Sequence, residues 1–248
     1  MKKLLALVMT LALCLTSAAA LADTLTMVTN ASFPPYEYVD GGEVVGIDAD
    51  IAAAICEKLG YDLEIVDMEF DSLIPAVQSG KADFAMAGMS VTEERLQMVN
   101  FSNTYATGIQ AIIVPEGSPI TSADDLTVEG ANYTIGVQLS TTGDLYATWY
   151  IEDVGLGTVS RFNNGNEAVL ALLNGKIDCV IIDNEPANAY VAANEGLKVL
   201  ETAYAEEEYA ACIAKDNVDF LNAFNTALDE LIADGTVQSI IEKYISAE

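Results

Sequence analysis

Ala76-Val-Gln-Ser-Gly80-Lys81-Ala-Asp83-Phe-Ala-Met86 and Ala171-Leu-Leu-Asn-Gly175-Lys176-Ile-Asp178-Cys-Val-Ile181 carry Ala, Gly, Lys and Asp at the same offsets. Each run reads as the end of a helix, a glycine that stops it, a charged turn and a buried strand. Any helix-to-strand turn shares part of this pattern; the sharper reading is two lobes of similar plan. In open parallel sheets ligands sit at the carboxyl ends of the strands. The segments that follow the two runs, Ala87-Gly88-Met89-Ser90-Val91-Thr92 and Asp183-Asn184-Glu185-Pro186, are therefore candidate walls of a crevice.

Away from these runs, short apolar stretches alternate with amphipathic ones, the signature of βα units around a largely parallel sheet. Strands are expected at 24–29, 63–66, 84–86, 134–137 and 179–182, and helices at 48–59, 71–79, 141–149 and 167–174. Two amphipathic helices close the chain, striped by Leu221, Phe224, Leu228, Leu231 and Ile232 and then by Val237, Ile240, Ile241 and Tyr244.

The first residues, Met1-Lys2-Lys3 followed by an apolar run to Ala22, have the form of a secretory signal peptide with cleavage after Ala22. A lipid-anchored form through Cys14 ranks second. Removing residues 1–22 takes away two lysines and no acids, so the formal charge moves from 10 − 38 = −28 to 8 − 38 = −30. A surface this acidic repels phosphate backbones and anionic headgroups, which argues against nucleic-acid and membrane-surface partners.

The chain has no histidine, which excludes His-based triads and the usual zinc enzymes, and no cofactor or metal motif is present. Cys56, Cys179 and Cys212 sit in apolar segments without metal-ligand spacing and read as core packing.

Arg95 and Arg161 are the two arginines. Arg95 lies in a capped helical turn directly after the first of the paired runs, and a planar guanidinium clamps a carboxylate through two bonds. Its ordinary alternative is a surface arginine paired with Glu93 or Glu94; for Arg161 the surface is the default. Gly136-Val-Gln138-Leu-Ser140-Thr141-Thr142-Gly143 is a strand, a hydroxyl-rich turn and a helix start, which suits an anion or simple N-capping. Asp183 offers an acceptor to an ammonium or caps a helix. Asn30, Phe33, Tyr36 and Phe70 sit at element ends, where the aromatics wall a pocket or pack in the core. Together, a fork for a carboxylate, a carboxylate for an ammonium and aromatic walls describe a site for a zwitterion.

The whole mature chain resembles the polar-amino-acid family (family 3) of bacterial extracellular solute-binding proteins that serve ABC transporters. The matching segments are Phe33-Pro-Pro-Tyr36-Glu37, Gly46-Ile-Asp48-Ala-Asp50-Ile51, Phe70-Asp-Ser-Leu-Ile-Pro75-Ala76, Gly80-Lys-Ala-Asp83, Thr92-Glu-Glu-Arg95 with Phe101-Ser102 and Tyr105, Gly136-Val-Gln with Thr141-Thr142, and Asp183. The resemblance implies an α/β, two-lobed type II periplasmic-binding fold with a ligand cleft between the lobes. The expected division is 23–115 with 204–248 as lobe 1 and 116–203 as lobe 2, joined by hinge strands near 112–116 and 203–209. It implies that Arg95 and the Thr141–Thr142 turn hold a ligand carboxylate. Asp183, the Gly88 carbonyl and the Ser90 hydroxyl would take the ammonium, and Phe33 and Phe70 pack on the ligand. Ser140 stands where many relatives have glycine, and Asn30 where binders of basic amino acids often carry aspartate.

The expected function is binding of an amino acid, with no cofactor, outside the cytoplasm (periplasm or cell surface) by a monomer that delivers it to a membrane permease. Asn30 and Gln138 offer neutral donors and acceptors, so a neutral polar side chain is favoured, with Glu37 able to supply a charge instead. The alternatives are a cleft enzyme of the cyclohexadienyl dehydratase type, with Glu37 or Glu185 as its acid, and a receptor's sensing domain. The end of the chain after an amphipathic helix argues against the last.

Overall fold

In the computed structural model, residues 23–200 and 204–245 are described; the expected signal peptide and Cys14 lie outside them. The chain enters as β1 (Thr24–Thr29). The three short strands β2 (Ser32–Phe33), β3 (Glu37–Asp40) and β4 (Glu43–Val45) then form a small antiparallel sheet that the sequence reading did not anticipate. Helix α1 (Ile47–Leu59) buries Ile47, Ile51 and Ile55 completely, each worth roughly 1.5–3 kcal/mol in surface removed from water. After β5 (Asp62–Asp67), the helix expected over 71–79 is a 3₁₀ turn at Phe70–Ser72 that runs into α2 (Leu73–Gln78). Pro75 falls in the first turn of α2, where its missing N–H has no helical acceptor to lose. Strand β6 (Phe84–Ala85), helix α3 (Glu93–Met98) and β7 (Asn100–Phe101) follow.

The chain then enters a second sheet through β8 (Ala106–Pro115) and β9 (Thr134–Gln138). The helix expected over 141–149 is α4 (Thr142–Ala147), continued by a π-helical turn at Thr148–Glu152. Next come β10 (Thr158–Phe162), α5 (Gly165–Leu173), β11 (Cys179–Asp183), α6 (Asn184–Ala193), β12 (Leu197–Val199) and β13 (Ala205–Tyr209). The return to the first sheet is β14 (Cys212–Ile213), and α7 (Val218–Ala233) and α8 (Thr236–Tyr244) pack on α1.

The first sheet has the order β5-β1-β6-β14-β7, and the second β10-β9-β11-β8-β12 with β13 also on β8. Each is parallel where βα units built it, β5-β1-β6 and β10-β9-β11. Each turns antiparallel where the chain passes between sheets, at β14 and β7 in one and at β8, β12 and β13 in the other. The sequence reading of a largely parallel sheet therefore holds for half of each sheet. Strands β8 and β13 pair from Ala106 with Tyr209 to Gln110 with Ala205.

The sequence echo is an echo of structure. Gly80 and Gly175 adopt φ of +70° and +65°, the left-handed turn that ends a helix and that a Cβ disfavours. Lys81 N–H closes on the Ala76 carbonyl and Lys176 N–H on the Ala171 carbonyl, both at 3.0 Å. Asp83 accepts from the Thr26 N–H at the start of β1, and Asp178 from the Thr134 N–H at the start of β9, both at 2.7 Å. One device thus fixes the register of β6 on β1 and of β11 on β9, and both strands deliver their carboxyl ends to the same place. Cys56, Cys179 and Cys212 are buried free thiols in the core. Among the described residues, no helix is long and apolar enough to cross a membrane.

Candidate functional site

A pocket lies where β6 and β11 end. All ten candidates, Asn30, Phe33, Phe70, Gly88, Ser90, Arg95, Gln138, Thr141, Thr142 and Asp183, line it, together with Glu37, Ala87, Ile181 and Ile182. Arg161 does not.

Arg95 is 5% exposed, held by α3, whose first turn is capped by Thr92 accepting from the Arg95 N–H. Its Nη1 donates to the Ser90 carbonyl at 2.7 Å and its Nη2 to the Ser140 carbonyl at 3.0 Å, and the guanidinium stacks 5.3 Å from the centre of the Phe70 ring. The surface pairing with Glu93 or Glu94 does not occur, and among the described residues Arg95 has no ion pair. Burial pulls its pKa down, while the fields of Glu207 and Asp183 oppose that. An isolated buried cation is costly, and a ligand carboxylate placed on the guanidinium removes that cost.

The turn that meets Arg95 is built for rigidity. Ser140 adopts φ +63°, which is the conformation glycine would supply at this position. Its N–H donates to Asp144 Oδ2 at 3.0 Å, and the other oxygen of Asp144 accepts from Arg161 Nε at 2.8 Å. Arg161 also reaches Glu152 Oε2 at 2.8 Å, so it braces the turn from behind instead of lying idle on the surface. Thr141 is the N-cap of α4, its hydroxyl donating to the Gln138 carbonyl at 2.8 Å and accepting from the Asp144 N–H. The capping reading of this hydroxyl holds, and the Thr142 backbone N–H, in the first turn of α4, has no helical acceptor by position.

Opposite Arg95 stands Asp183, at the end of β11. It precedes α6 but makes no side-chain cap; the Tyr209 hydroxyl donates to its Oδ1 instead. Burial, then the charge of Glu207, pushes its carboxyl up to about 7, with the Tyr209 and Gln110 hydrogen bonds opposing. An ammonium nearby would reverse that rise.

The far wall is made of Asn30, Gln138 and Glu37. Gln138 Nε2 donates to Asn30 Oδ1 at 2.8 Å and to the Asn163 carbonyl at 3.1 Å, while Asn30 Nδ2 donates to the Met68 carbonyl at 2.9 Å. The two amides thus occupy much of each other's capacity. Glu37 is 1% exposed, and burial followed by the charge and hydrogen bond of Asp48 raises its pKa well above the carboxylate range. Asp48 in turn accepts from the Gly88 N–H and the Tyr105 hydroxyl, both at 2.8 Å, and burial lifts it to about 6. Phe33 closes the floor: Gly88 has φ +50°, and a Cβ there would stand 2.7 Å from the Phe33 ring.

Sequence reasoning missed Glu207, Gln110, Tyr209 and Asp144. One signal was present for Glu207: in Glu206-Glu207-Glu208 on a strand, alternation forces one acid inward. Tyr209 and Gln110 sit in paired β13 and β8, and nothing local in the sequence announces them.

Residues 25–247 match the family described as bacterial extracellular solute-binding proteins, family 3. The chain is 32% identical to the arginine-binding extracellular protein ArtP of Bacillus subtilis, over 90% of this chain and 87% of that one. Among solved structures it is similar to an ancestral arginine-binding protein bound to glutamine, with TM-score 0.84, 39% identity, and 90% and 98% of the two chains covered. The same holds for an ancestral arginine-binding protein bound to arginine, with TM-score 0.84, 40% identity, and 91% and 100% covered. The fold expected from the resemblance, the α/β periplasmic-binding architecture, is the fold found.

Proposed function

The chain belongs to the bacterial extracellular solute-binding proteins of family 3, and from that premise we propose that it binds an α-amino acid outside the cytoplasm and hands it to an ABC-transporter permease. One observation carries this reading: a buried arginine with no ion-pair partner among the described residues and a buried aspartate line one pocket. That is the charge pattern of a zwitterion, carboxylate on Arg95 and ammonium on Asp183 with the Ser90 hydroxyl and Gly88 carbonyl beside it. The chain is a binding protein, as its relatives are named, and the dehydratase alternative gains no positioned acid, since Glu37 is committed to Asp48 and Glu185 does not line the pocket.

The lobes are proposed to follow the two sheets, with the crossings between β7 and β8 and between β13 and β14 as the hinge; the expected division at 115 and 204, with hinge strands near 112–116 and 203–209, would part β8 and β13 from the sheet they pair in. A ligand that touches Arg95 from one side and Asp183 from the other favours the closed arrangement. The working unit is proposed as a monomer.

For the side chain, a cationic end would draw the raised pKa of Glu37 back down and find a carboxylate there. Among the described residues five carboxyl groups, Glu37, Asp48, Asp144, Asp183 and Glu207, are buried against one basic side chain, Arg95, so a second positive charge on the ligand finds a compensating field. An arginine-type ligand is the first choice. The neutral polar preference expected from Asn30 and Gln138 is the second, and it rests on Glu37 keeping its proton against Asp48; the glutamine complex of the ancestral relative supports it. A thermal-shift screen of the twenty amino acids, with mass spectrometry of any small molecule that co-purifies, tests both. Stabilisation by none of them would overturn the functional reading.

A further inference from the structure

We propose that Glu207, on β13, is a positioning residue that fixes which way round the ligand binds and latches the two sides of the pocket together. Its Oε2 accepts from the Ser90 hydroxyl at 2.5 Å, from the Thr142 hydroxyl at 2.9 Å and from Gln110 Nε2 at 3.3 Å. Ser90 follows β6 of the first sheet and Thr142 opens α4 beside the second, so one carboxylate oxygen collects donors from both sides. Glu207 is 8% exposed, and no local rule of strand pairing requires an acid there.

A hydroxyl has one proton to donate. Ser90 and Thr142 both direct theirs at Glu207, so toward the pocket both oxygens present only lone pairs. Ser90 then accepts from an ammonium and cannot donate to a carboxylate. Thr142 likewise gives a ligand carboxylate nothing from its side chain, which confines that carboxylate to the guanidinium of Arg95 and to backbone N–H groups. Ser90 from the first sheet and Asp183 from the second then both accept from the ammonium, and the zwitterion has one permitted orientation. Glutamine in place of Glu207 would weaken this arrangement, because it keeps one acceptor oxygen for the three donors but withdraws the charge that holds both hydroxyl protons. Both hydroxyls and the carboxylate meet only when the two sides are together, so the latch acts on the closed state and slows escape of the ligand more than its entry.

This inference rests on the proposed binding of an α-amino acid, and the test separates the two. Titration calorimetry and stopped-flow binding are run on wild type, Glu207→Gln, Ser90→Ala and the double variant, with L-arginine and L-glutamine as probes. Glu207→Gln is expected to weaken binding by ~10- to 100-fold, mostly as faster dissociation, and to weaken it no more than about threefold once Ser90 is alanine. Equal losses in both backgrounds would overturn the latch while leaving amino-acid binding intact; no binding by wild type would overturn the function and the latch with it. If Glu207→Gln does not fold, the pair Ser90→Ala and Thr142→Val takes its place. These two hydroxyls are joined only through Glu207, so non-additive losses support the proposal and additive losses contradict it.

Discussion

Arg95 Nη2 donates to the carbonyl of Ser140 at 3.0 Å, joining a side chain that follows the first sheet to the turn that follows β9 in the second. The same guanidinium holds the Ser90 carbonyl, so two backbone carbonyls fix the group proposed as the carboxylate clamp. Asp144 and Arg161 fix the Ser140 turn from the other side. The two arginines of the described chain therefore do different work on one loop.

Arg95→Ala is expected to lower amino-acid affinity by about two to four orders of magnitude, the roughly 3–5 kcal/mol of breaking a buried charge pair. Arg161→Ala acts only through Asp144 and is expected to lower affinity by less than about tenfold. Titration calorimetry on both variants checks this, and equal affinities would remove the clamp.

Binding is expected to strengthen as pH rises from about 5.5 to 8. In the free protein Asp183 holds its proton up to about 7, against an ordinary value of 3.8, whereas an ammonium beside it favours the ionised form, so the complex binds fewer protons. The raised pKa has the opposite effect on the ligand-free fold. Its contribution to stability is full below pH 3.8 and is lost as pH rises through 7, and the raised pKa values of Asp48 and Glu37 act in the same direction. Melting curves with and without ligand should show a ligand-induced shift that grows with pH. A shift independent of pH would remove Asp183 as the ammonium acceptor.

Ser140→Gly is expected to stabilise the protein. A left-handed conformation costs a residue with a Cβ roughly 1–2 kcal/mol, and the two bonds at Ser140 that matter, to Arg95 and Asp144, use its backbone. The gain is a rise of a few degrees in Tm with affinity within about threefold of wild type; a fall in Tm would show that the serine hydroxyl carries the turn.

At the far wall, Glu37→Gln is expected to weaken arginine by about tenfold or more and glutamine by less than threefold, because without changing shape it removes the carboxyl group that a ligand cation would ionise. Asn30→Asp is expected to move the preference further toward arginine. Competition binding with the two amino acids measures both, and a Glu37→Gln variant that loses both ligands alike would assign Glu37 to the fold alone.

Much of this was legible in the sequence for a definite reason. The paired runs at 76–86 and 171–181 each fix a strand by a local bond, Asp83 to Thr26 and Asp178 to Thr134, and the residues after such strands must face the crevice. Arg95, Ser90, Gly88 and Asp183 could be placed that way. Glu207 and Tyr209 could not, because they reach the pocket-lining Ser90, Thr142 and Asp183 from β13, through a pairing with β8 separated by about a hundred residues of chain. The partition of 71–79 and 141–149 into 3₁₀, α and π turns was also invisible, since periodicity marks which face is buried and not which hydrogen-bond ladder is used.

The most direct test is a titration of ligand-free protein with L-arginine and with its two truncated forms, one lacking the α-carboxylate and one lacking the α-ammonium. If Arg95 and Asp183 hold the two ends of a zwitterion, L-arginine binds and each truncated form is weaker by about a hundredfold or more. A truncated form that binds as tightly as L-arginine would contradict it.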